Sequence, residues 1–70
     1  MMENARYAKL RGRIRAKYGT QESFAKAMEL SPGTLSCKLR GVTDWTRSEI
    51  VRACELLSLS LEEGYAYFFE

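Results

Sequence analysis

The 70-residue chain has no histidine, one proline, one tryptophan and two cysteines. Histidine is the usual neutral-pH general base and the commonest metal ligand, so both roles lose their first candidate. Cys37 and Cys54 form no CxxC pair, which leaves no zinc-site spacing and no disulfide framework. Neither cysteine has a base placed beside it in sequence, and no glycine-rich phosphate loop is present. No apolar run approaches the roughly 20 residues that cross a bilayer, and no signal peptide opens the chain. These absences predict a protein that is not an enzyme, works in reducing cytoplasm, and takes no cofactor, metal, membrane or small-molecule effector.

What the chain has is uneven charge. The net charge is only +2, but residues 1–20 hold six basic side chains against one acidic, residues 21–41 three against two, and residues 42–70 two against six. A basic first half suits a polyanion, with the acidic tail turned away from it. The length predicts one domain over 1–70, with a small core and modest stability.

Residues 20–41, TQESFAKAMELSPGTLSCKLRG, organise the rest. Thr20 has the chemistry to cap a helix over 21–28. Ser31 caps a second over 32–40, Pro32 fills its first position and Gly41 follows its end. Phe24, Ala25 and Met28 share one face of the first helix, and Leu35 and Leu39 share one face of the second. Glu29, Leu30 and Ser31 make the corner. Glutamate disfavours positive φ, which predicts that the first of these helices runs on through Glu29 in helical conformation.

This stretch resembles the helix-turn-helix of the small phage Cro and repressor proteins, the lambda-repressor-like class. The resemblance lies in Thr20-Gln21, Phe24-Ala25, Met28, Ser31, Thr34-Leu35, Leu39 and Gly41, and covers about residues 6–60. The opening KLRGRIRAKYGTQESFAKAM is similar to short Cro-like regulators of temperate phages and prophages. The chain departs from the pattern at Glu29, where that class often has glycine, and at Pro32-Gly33, where many relatives carry long polar side chains. The resemblance implies an all-α, compact four- or five-helix DNA-binding domain with the helix-turn-helix at helices 2 and 3. It also implies repression by operator occupancy in a lysis–lysogeny switch.

Along the chain, 1–4 reads as loose. Tyr7, Leu10, Ile14 and Tyr18 give a helix over 5–18 its apolar stripe, flanked by Arg6, Lys9, Arg13 and Lys17 on one side and Arg11 and Arg15 on the other. Gly19 stops it. Thr46 and Glu49 form a capping box for a helix over 47–57, lined by Ile50, Cys54 and Leu57. Ser60 and Glu63 repeat that pattern before a helix over 61–67, although Tyr65, Tyr67 and Phe69 also alternate as a strand would. Trp45 belongs at least partly inside.

The third helix is the candidate reader of a major groove. Pro32, Gly33, Thr34, Ser36, Cys37 and Arg40 are its candidate base contacts. Arg40 has the reach for either guanine or phosphate. Gln21, at a helix N-terminus, is a candidate phosphate contact, as are Lys26, Lys38, Thr43, Arg13 and Lys17. Tyr65, Tyr67, Phe68 and Phe69, in the aromatic segment 61–70, are candidates for the contact of a homodimer that binds a double-stranded operator, in one version pairing only on DNA. The rival expectation is a small helical protein-interaction module without specific DNA binding, supported by the acidic, aromatic C-terminus.

Overall fold

The computed structural model describes residues 7–69. Its elements are α1 (Ala8–Tyr18), α2 (Gln21–Met28), α3 (Pro32–Leu39), α4 (Arg47–Leu56) and α5 (Leu61–Phe68). The fold is all-α with a helix-turn-helix at α2 and α3, as the resemblance implied. The stretch 1–4, Ala5 and Arg6 lie outside the described residues.

Four helices begin where side-chain chemistry places them. Thr20 Oγ1 accepts the Ser23 N–H at 3.1 Å, and Ser31 Oγ accepts the Thr34 N–H at 3.1 Å. Thr46 and Ser60 form complete capping boxes, with the carboxylates of Glu49 and Glu63 each accepting the cap residue's own N–H at 2.9 Å. Each such cap contributes about 1 kcal/mol by satisfying donors that a helix start leaves open. The segment 61–68 is helical, so the strand-like alternation of its aromatics is not used.

Three helix ends share one geometry. After α2, the Glu29 N–H bonds Lys26 O and the Leu30 N–H bonds Ala25 O; after α3, Gly41 and Val42 repeat this with Lys38 and Cys37. After α4, Ser58 and Leu59 do so with Glu55 and Cys54. This pair of bonds is the Schellman arrangement, which needs a left-handed residue just past the helix. Glu29, Gly41 and Ser58 occupy that position at φ 63°, 80° and 60°. The expectation that α2 runs on through Glu29 is therefore corrected. The closing bonds and the inward-turned Leu30 hold Glu29 in a conformation that its side chain disfavours.

The core takes Leu10 and Ile14 from α1, Phe24, Ala25 and Met28 from α2, and Leu35 and Leu39 from α3. Ala53, Cys54, Leu57 and Phe68 complete it. Each fully buried Leu, Ile or Phe contributes roughly 1.5–3 kcal/mol, so these few side chains carry most of the stability. Trp45 is half-buried, packing edge-on against Phe68 with ring centres 4.9 Å apart. α4 and α5 approach closely at Gly64, where a Cβ would overlap the Cys54 sulfur.

Candidate interaction surface

α1 uses its positive charge within the molecule. Arg13 donates to Leu57 O from Nε at 3.1 Å and from a terminal nitrogen at 2.9 Å, closing the C-terminal end of α4. Arg11 donates to Leu39 O at 3.1 Å, closing the end of α3. Lys17 reaches Ser58 Oγ at 2.9 Å, and the Tyr18 hydroxyl donates to Leu56 O at 3.3 Å. Cations and donors are favourable there because the last carbonyls of a helix lack partners and carry its negative end. Sequence inspection shows the charge but not that its acceptors come from α3 and α4.

Lys38, a candidate phosphate contact, is buried. Its ammonium group lies 2.9 Å from Glu49 Oε1 and donates to Asp44 O at 2.9 Å. It is therefore turned away from any phosphate. Burial pushes the Glu49 carboxyl pKa upward, but hydrogen bonds from the Thr46 N–H and Lys38, with the Lys38 charge, outweigh it and hold the group below its ordinary value. Burial pushes the Cys54 thiol pKa up, which leaves it inert.

The exposed side of α2 and α3 presents Lys26, Pro32, Gly33, Thr34 and Arg40, with Gln21, Ser36 and Cys37 half-buried and Thr43 exposed in the following loop. The Thr34 hydroxyl accepts from Ser31 Oγ at 2.8 Å, and an Arg40 nitrogen lies 3.7 Å from Cys37 Sγ. Of the four cations expected at phosphate, only Lys26 stands clear of the contacts described for Arg13, Lys17 and Lys38.

The four aromatics of the C-terminal segment divide. Phe68 is buried against Trp45 and Tyr67 packs partly on the core, so Phe68 completes this chain's own interior and is not free to meet a second copy. Tyr65 and Phe69 face outward. Leu61 is also exposed and lies on the same helix face. Its spacing of four from Tyr65, and of eight from Phe69, was the signal that could have found it. Among the described residues there is no group of three or more His, Cys, Asp or Glu side chains placed to hold a metal, and no helix is long and apolar enough to cross a membrane.

Residues 4–70 match the model of a family described as "Protein of unknown function (DUF739)". No curated protein matches the sequence. Among solved structures, the chain is similar to the modulator of repression (MOR) of the temperate bacteriophage TP901-1 from Lactococcus lactis, determined in solution. The two are 40% identical with a TM-score of 0.83, over 96% of this chain and 90% of the other. That protein is a modulator of repression by its description, not a Cro protein or a repressor. This overturns the expected Cro-like repressor acting by operator occupancy, with an operator as partner and pairing on DNA. The placement of Arg13, Lys17 and Lys38 agrees with the correction, because it withdraws charge from the surface that would meet phosphate. The chain belongs to the DUF739 family and is a phage or prophage regulatory protein, structurally related to the Cro and CI helix-turn-helix proteins but not specifically a Cro.

Proposed function

We propose that this chain modulates repression by contact with a protein, and that its helix-turn-helix serves as a compact scaffold rather than as a sequence reader. The observation that carries this reading is the likeness, over nearly the whole chain, to a protein described as a modulator of repression. Two features of the molecule support it. Arg11 and Arg13 of α1 are drawn into closing helix ends, and the exposed first turn of α3 presents Pro32, Gly33 and Thr34. A groove reader relies on charge-assisted phosphate contacts and on long side chains directed at base edges. The partner under this reading is the repressor of the phage or prophage that encodes the chain.

A promoter-reporter assay with and without that repressor tests the proposal. Adding the chain should change reporter output only when the repressor is present. The purified chain should give no footprint on the operator at low salt. Lowered output from the chain alone, with operator protection, would overturn it.

A further inference from the structure

Three of the four large apolar side chains exposed among the described residues border one groove. Leu61, Tyr65 and Phe69 are 54%, 62% and 65% exposed, and together they form one wall along α5. Ile50 and Val51 of α4 form the other wall, and Trp45 closes one end. The enclosed space is about 430 Å³. At 1.5 Å per residue, Leu61 to Phe69 runs roughly 12 Å, about two turns of a helix laid alongside. The wall is already ordered, because the rings of Tyr65 and Phe69 meet edge to face at 5.3 Å with an 88° interplanar angle. Ordered aromatics lose little side-chain freedom on binding, which favours them at contact centres.

Charge decides between occupants. Arg47 is the one charged side chain lining this groove. α5 carries Glu62 and Glu63 and no basic residue. With about 100° between successive residues, Glu62 follows on the solvent side of the Leu61–Tyr65–Phe69 stripe. Glu63 is already tied to the Ser60 N–H. A second copy of this chain laid α5 against α5 would set acid beside acid. A foreign helix with a basic flank would meet Glu62, and a carboxylate near one end would meet Arg47.

We propose that the α4–α5 groove is the docking site through which this chain grips its partner protein, and that the occupant is an amphipathic helix. That helix presents an apolar stripe two turns long, a basic residue facing Glu62 and an acidic residue facing Arg47. The proposal rests on the reading that the chain modulates repression by protein contact. It places that contact on the helices that follow the helix-turn-helix in sequence.

Titration calorimetry with the purified repressor from the reporter assay tests it. Three proteins are compared: the full chain, the double variant Leu61→Ser/Tyr65→Ser and the single variant Arg47→Glu. The altered side chains are exposed, and circular dichroism verifies that each variant keeps its helices. The double variant should bind about thirtyfold more weakly, the scale expected when contact-centre side chains are truncated. Arg47→Glu should lose affinity while Arg47→Lys retains most of it, a difference that general loss of packing would not produce. If the unaltered chain binds the repressor and the folded double variant binds equally well, the groove is overturned and the reading of function stands. If the unaltered chain neither binds the repressor nor changes the reporter, the reading of function fails and the groove proposal falls with it. Sedimentation of the free chain adds a separate arm. Self-association abolished by the double variant would name a second copy as the occupant and overturn the helix of a partner.

Discussion

Replacing Glu29 with glycine should stabilise the protein. Glu29 sits at φ 63°, ψ 37°, where a side chain meets its own backbone, and the closing bonds from Glu29 to Lys26 and from Leu30 to Ala25 require that conformation. Left-handed backbone at a residue with a Cβ costs about 1–2 kcal/mol, and glycine removes this penalty. Glycine also gives the unfolded chain more freedom, a loss of about 0.4–1 kcal/mol. The Glu29–Arg52 ion pair, 3.3 Å long and largely exposed, is lost as well; such pairs contribute about 0–1 kcal/mol, here at the low end. The balance is a gain of about 0.5 kcal/mol over the natural chain. Glu29→Ala is the sharper comparison, because it loses the same ion pair and keeps the strained backbone. The glycine variant should exceed it by about 0.8 kcal/mol, or roughly 3–6 °C in Tm for a domain of this size. Urea denaturation of the three proteins, with a common slope, gives the free energies. A glycine variant no more stable than the alanine variant would refute the assignment of a left-handed corner at Glu29.

Two other expectations concern packing and pH. Gly64→Ala should destabilise by about 1–3 kcal/mol, because its Cβ overlaps Cys54 Sγ; adding Cys54→Ala should recover part of that loss in a double-mutant cycle, and strictly additive effects would argue against the contact. Glu49 titrates at lower pH folded than unfolded, so its contribution is fully present above its unfolded value near 4.5 and is lost as pH falls through the lower folded value. Glu49→Gln should flatten the acid limb of the stability profile, measured by urea midpoints across that range, and an unchanged limb would show that Glu49 does not carry it.

The legible parts of this fold are those whose cause is local. Thr46 with Glu49, and Ser60 with Glu63, announce their helices because cap and carboxylate stand three residues apart. The apolar spacing of Leu10 and Ile14, and of Phe24 and Met28, likewise names the buried faces. Glu29 and Ser58 were hidden, because nothing in either side chain signals positive φ, whereas Gly41 at the equivalent place is conspicuous. Arg13 was hidden for another reason. Its acceptor, Leu57 O, belongs to a distant helix, and six basic residues in the first twenty look the same whether they face phosphate or carbonyls. Phe68 and Phe69 are neighbours with one chemistry, and only the docking of α5 turns one inward and the other out. The functional misreading has the same origin. A helix-turn-helix pattern encodes the packing of α2 on α3, and that packing does not say what the outer face touches.

Because Arg11 and Arg13 hold carbonyls 28 and 44 residues away, opening α1 does not stay local. An ordinary terminal helix can fray in solution with little effect on its neighbours. Here the departure of α1 uncovers the terminal carbonyls of α3 and α4 in one step, while removing Leu10 and Ile14 from the core. Conversely, those carbonyls exist as helix ends only once α3 and α4 have formed. The first helix is thus tied to the third and fourth as one cooperative unit, so partly unfolded forms lacking α1 gain little.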